Sequence, residues 1–156
     1  MLLGTSDALA LRGKAAIANA KLAYAAFRDT FTGPRWEALV ARGANVQRPL
    51  WASTGTKNDA YPDTLYVDEL IGPDSVNTIP DATLESFLDH GSVARTVDVA
   101  QHEAASVRAQ LLALGVDLDA IAVKLEADGV AAFQDSFDSL IASLAKRAER
   151  LAPRAN

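Results

Sequence analysis

The chain has 156 residues, 49% of them hydrophobic and 22% charged, which is the composition of ordinary globular material rather than of a disordered segment. A net charge of −5, with no long run of Lys or Arg, speaks against a nucleic-acid partner. With no cysteine, disulfides and thiolate metal sites are excluded, and a cytosolic origin is the expectation. No apolar run approaches the roughly 18–20 residues that a membrane helix needs, and Met1–Asp7 has no secretory pattern.

In chain order, Ala8 to about Phe31 reads as one long helix. Ile17, Ala20, Tyr24, Phe27 and Phe31 recur at three- and four-residue spacing along one stripe, and Ser6 or Asp7 is the candidate N-cap. Gly33-Pro34 ends this element. Pro34 then suits the first position of a short helix to about Arg42, stopped by Gly43. Arg48–Ser53 changes character. Leu50-Trp51-Ala52 is a short apolar run before the polar loop Thr54-Gly55-Thr56-Lys57-Asn58, favouring a strand buried on both faces. Thr64–Ile71 reads as a short helix, and Gly72-Pro73-Asp74 as a break.

Ser75–Ile79 is the second strand, closed by Pro80. Asp81 is expected to cap a helix to about His90, ended by Gly91. Strand, helix, strand and helix in succession imply a parallel βαβ unit with a right-handed crossover. The last third is helical: a helix through Val97, Ala100, Ala104, Val107, Leu111 and Leu114 to Gly115, then a piece over Leu118–Ala127 broken at Asp128-Gly129. A final helix of about six turns follows, on Val130, Phe133, Phe137, Leu140, Leu144, Ala148 and Leu151. Two buried strands cannot cover their own edges, and a complete α/β barrel takes about 250 residues. The strands are therefore expected to pair with others outside this sequence.

Few residues carry chemistry. His90 and His102 lack metal-ligand spacing and read as surface residues. Ser53 has no nucleophile elbow around it, and Ser53-Thr54-Gly55-Thr56-Lys57 lacks the spacing of a nucleotide-binding loop. The stretch does suit an anion, because it follows a strand's C-terminal end, its glycine admits close approach, its hydroxyls donate and Lys57 is cationic. A polar surface turn with a solvated lysine is the alternative. Asp117, Asp119, Asp128, Asp135 and Asp138 read as caps and solvated faces. Trp51, Tyr61 and Tyr66 read as packing residues, and Lys14, Lys21, Lys124 and Lys146 as solvent-facing.

Arg48-Pro49-Leu50-Trp51-Ala52-Ser53-Thr54-Gly55-Thr56-Lys57-Asn58, continued by Asp63–Pro73 and by Val76-Asn77-Thr78-Ile79-Pro80-Asp81-Ala82-Thr83-Leu84, resembles the seventh and eighth strands of the longer bacterial transaldolases. Leu11–Lys21 resembles the helix before strand seven, and Gly129–Leu140 the last helix, so nearly the whole chain is covered in the family's order. The resemblance implies the C-terminal portion of a (β/α)8 barrel as a single partial domain. Residues 1–45 would hold the helices before strand seven, 46–91 the last two βα units and 92–156 the C-terminal helices.

It further implies a cytoplasmic enzyme of the pentose phosphate pathway that uses neither cofactor nor metal. A dihydroxyacetone unit passes between sugar phosphates (fructose 6-phosphate, sedoheptulose 7-phosphate, erythrose 4-phosphate, glyceraldehyde 3-phosphate) through a lysine Schiff base. That lysine sits on an earlier strand in an apolar setting such as Ile-Lys-Ile-Pro, which this chain lacks. The expectation is a portion inactive alone, whose partner is the N-terminal part of the barrel. Ser53 matches the family's phosphate-binding serine, and Thr54 and Lys57 complete the expected phosphate site. The best-known members have an arginine two residues after the serine, whereas this chain has Lys57 four residues on. Rival expectations are a fructose-6-phosphate aldolase-like protein, a portion of a transaldolase–isomerase fusion, or a non-catalytic helical interaction module.

Overall fold

A computed structural model describes residues 4–151. The chain divides into two compact units, Met1–Val116 and Asp117–Asn156. The first contains α1 (Ser6–Ala10), α2 (Ala15–Thr30), α3 (Gly33–Val40), β1 (Leu50–Ala52), α4 (Leu65–Glu69), β2 (Val76–Thr78), α5 (Asp81–His90) and α6 (Gln101–Ala113).

The long first helix expected from Ala8 is divided in two. Gly13 adopts φ +76, a left-handed conformation that a continuous helix cannot contain, and Tyr61 packs over the turn it makes. The N-cap of α1 is Thr5 rather than Ser6 or Asp7, its hydroxyl accepting from the Ala8 amide. The apolar stripe of α2 behaves as its spacing predicts. Tyr24 is buried, its hydroxyl donates to the Pro73 carbonyl at 2.9 Å, and Phe27, Phe31 and Trp36 continue a row of ring contacts toward α3. Pro34 sits in the first turn of α3, and Gly43 follows it at φ +90.

β1 and β2 form a two-stranded parallel sheet in the register Leu50↔Val76, Trp51↔Asn77, Ala52↔Thr78, with α4 in the connection. The core lies on one side, where Tyr24, Leu70 and Val97 cluster with Ile17, Ala20, Phe27 and Trp51 packed against them. The expectation of strands buried on both faces is not met: Trp51 and Asn77 are half-buried on the face toward the core. Trp51 points into this cluster, whereas its strand neighbours Leu50 and Ala52 are exposed, because alternate strand residues face opposite ways and no other element of this unit covers the second face.

Thr96 closes the unit. Its hydroxyl donates to the Asp68 carbonyl and accepts from the Ile71 amide, while the amides of Thr96 and Val97 both donate to the Ile71 carbonyl. A Cβ at Gly72 would collide with Val97, so glycine here lets the strap over residues 96–97 reach the core. Helical spacing had extended the next helix back to Val97. α6 instead begins at Gln101, because Ala100 turns left-handed at φ 56 and Val97 is given to the core. At the start of α5, Asp81 is the first helical residue and Pro80 the cap, so the expected aspartate cap is displaced by one position.

The second unit contains α7 (Leu118–Leu151), one helix of 34 residues where a break at Asp128-Gly129 was expected. Asp117 caps it, its Oδ1 accepting from the amides of Asp119 and Ala120. The pair Lys124–Asp128, 2.7 Å apart one turn before Gly129, supports the helix there. A lone glycine costs a helix only about 1 kcal/mol, too little to stop one with good formers on both sides.

Candidate functional site

The polar loop begins where β1 ends. A strand of this length leaves its C-terminal residues free to turn, and Ser53 does so at φ 55, left-handed although it carries a Cβ. For a non-glycine residue that conformation costs about 1–2 kcal/mol and persists only where neighbours enforce it. Ser53 is exposed, whereas Thr54 is only 5% exposed and its hydroxyl donates to Oδ1 of Asn77 on β2 at 2.8 Å. Gly55 lies close against the first turn of α5: a Cβ there would come within 2.9 Å of the Thr83 hydroxyl.

Beyond it the loop is internally bonded. The Thr56 hydroxyl donates to the Pro62 carbonyl at 3.3 Å, and the Asn58 side chain accepts from the Ala60 amide at 3.0 Å. Lys57 stands exposed between these turns. Ser53 and Thr54 also border a cleft of about 270 Å³ shared with Trp51, Tyr66 and Leu70.

The three sequence-predicted site residues thus lie on one loop in different environments. Ser53 and Lys57 face solvent; Thr54 is turned inward and engaged with the neighbouring strand. Asn77 was not singled out by sequence pattern. The available signal was an asparagine in the middle of a three-residue strand, where that residue type is depleted unless it has a specific bond to make.

The far end of the loop is tied down by charge. His90, at the end of α5, approaches Asp63 through Nε2 at 2.9 Å and Asp89 through Nδ1 at 3.1 Å, all on the surface. The Asp63 hydrogen bond, followed by that of Asp89, raises the His90 pKa above its ordinary 6.5. Reciprocally, the His90 bond holds the Asp63 carboxyl below its usual value.

The lysines are distributed as their segments suggest, with one correction. Lys21 is not solvent-facing: its side chain is 12% exposed and its Nζ lies 3.0 Å from Glu69, across from α2 to α4. Among the described residues no lysine lies on a strand. No helix among them is long and apolar enough to cross a membrane.

Comparison with known proteins gives this arrangement a context. Residues 3–144 match the family described as Transaldolase/Fructose-6-phosphate aldolase. The chain is 50% identical over 149 residues to a protein named Transaldolase from Frankia alni, covering 95% of this chain and 40% of that protein. It is 54% identical over 140 residues to a Transaldolase from Parafrankia sp., covering 89% and 38% of the two chains. A Transaldolase from Neisseria gonorrhoeae is 51% identical over 134 residues, covering 86% and 38%. The chain therefore spans about two fifths of the length of these relatives. With a family match over most of its residues and relatives at half identity along nearly all of it, the chain belongs to the transaldolase/fructose-6-phosphate aldolase family.

Proposed function

We propose that this chain is the closing portion of a (β/α)8 transaldolase barrel and supplies its grip on the substrate phosphate. β1 and β2 are then strands seven and eight, and the uncovered strand face and sheet edges belong against the strands of the remaining three fifths. The observation that carries the reading is the Ser53–Lys57 loop. It follows the C-terminal end of a parallel strand, where barrel enzymes hold their ligands, and its hydroxyl residue Ser53 and its cation Lys57 are both exposed. A phosphate dianion needs such donors, and a lysine serves it as a point charge.

The reaction is the transfer of a dihydroxyacetone unit from fructose 6-phosphate or sedoheptulose 7-phosphate to erythrose 4-phosphate or glyceraldehyde 3-phosphate, in the cytoplasmic pentose phosphate pathway. A lysine on an earlier strand attacks the ketose carbonyl. Water leaves as the Schiff base forms, and acidic residues on other strands move the protons. Such a lysine must be desolvated or placed beside other cations to be nucleophilic at neutral pH. Lys57 is exposed on its loop, Lys21 is ion-paired, and Lys14, Lys124 and Lys146 belong to the helical segments, so none offers that setting.

This portion alone is accordingly inactive. Borohydride reduction in the presence of fructose 6-phosphate tests it: none of the five lysines should retain a stable adduct. A trapped adduct on any of them would sink the assignment of the Schiff base to another part of the barrel. The family description also names fructose-6-phosphate aldolase. The names of the relatives favour transfer.

A further inference from the structure

The sheet register and one side-chain bond together explain why Ser53 is bent. Ala52 stands opposite Thr78, so a ladder continued in register would carry Thr54 on toward Pro80. Instead the Thr54 hydroxyl reaches back to Asn77, which pairs with Trp51. The backbone must reverse between a residue held by strand pairing and a residue held by that bond, and the only residue between them is Ser53. The left-handed conformation at φ 55 accomplishes the reversal. Burial of Thr54 makes its bond costly to leave unmade, and Gly55, where a Cβ would meet the Thr83 hydroxyl at 2.9 Å, lets the loop run close to α5.

We propose that Asn77 is a positioning residue for Ser53: by anchoring Thr54 from the neighbouring strand, it enforces the strained turn that presents Ser53 to an anion of the phosphate-ester class. Thr54 then serves the site as the anchor rather than as a phosphate donor. The inference rests on the reading of Ser53 as a phosphate-binding residue, and its test separates the two.

The experiment is NMR on the full chain, following the Ser53 backbone shifts and HN–Hα coupling while titrating with inorganic phosphate. Variants are Asn77→Leu and Thr54→Val, which remove one partner each, and Thr54→Ser, which keeps the hydroxyl. The resonances of α2 and α6 report that the fold is intact. Expected in Asn77→Leu and Thr54→Val is loss of the left-handed signature at Ser53 and phosphate binding weaker by about tenfold, the scale of one buried hydrogen bond. Thr54→Ser should keep both within about twofold. The proposal is overturned if Ser53 stays left-handed in Asn77→Leu and Thr54→Val, or if Thr54→Ser fails as badly as Thr54→Val. Should the native chain show no phosphate-dependent shifts, the anion role of Ser53 falls alone, and the Ser53 conformation still decides whether Asn77 enforces the turn.

Discussion

At the scale of single residues, the loop that follows β1 is held at one end by a neutral bond and at the other by charge. Thr54–Asn77 is half-buried and independent of pH; Asp63–His90 is exposed and titrates. Because His90 is raised, the pair contributes fully below the histidine's ordinary 6.5 and is lost as pH rises through the raised value. Because Asp63 is lowered, its part is present above the ordinary 3.8 and is lost as pH falls through the depressed value. The contribution is therefore greatest between those two ordinary values, and it is small because both side chains are in water. NMR titration checks it: the His90 midpoint should fall in Asp63→Asn yet stay above 6.5, since Asp89 still bonds the other ring nitrogen. An unmoved midpoint would disprove the pairing. His90 is the surface residue its position suggests, and its pairing with Asp63, 27 positions away, has no local signature in the sequence.

Among the elements, α7 shows how local rules mislead when read singly. Asp-Gly is a strong turn signal, yet the helix runs through Gly129, which has open space around the position of a Cβ and no positive φ. Gly129→Ala should therefore stabilise the helix by about 0.5–1 kcal/mol, visible as higher helicity and a later melt in circular dichroism. A loss of helicity would mean the chain does break there. The opposite error occurred at the first helix. Nothing in the stripe from Ala8 to Phe31 announces a break, and Gly13 is one glycine among good helix formers. The packing of Tyr61, 48 residues later, over the Gly13 turn accompanies the break. Glycine permits either outcome, and tertiary contacts choose. The same holds for Val97, whose helical spacing is overridden by its place in the core.

For the molecule as a whole, the governing fact is a two-stranded sheet with one dressed face. Leu50 is 52% exposed on the bare face, and no further strand pairs with β1 or β2 among the described residues. Such an edge and face recruit other chains. The isolated chain should therefore associate with rising concentration in sedimentation or light scattering, and Leu50→Lys should reduce that without lowering helix content. A monomer at all concentrations would refute it. By itself the sequence determined the family and the order of the two strands among mostly helical segments, because stripes, proline stops and the string from Arg48 to Asn58 are local and survive without context. It also located the candidate loop. Only the tertiary structure decided which way each loop residue turns: Thr54 inward to Asn77, Ser53 outward through a left-handed turn, Lys21 into a pair with Glu69. Those choices are made by groups 23 and 48 residues away, and a bond between distant residues exists only once the chain has folded to bring them together.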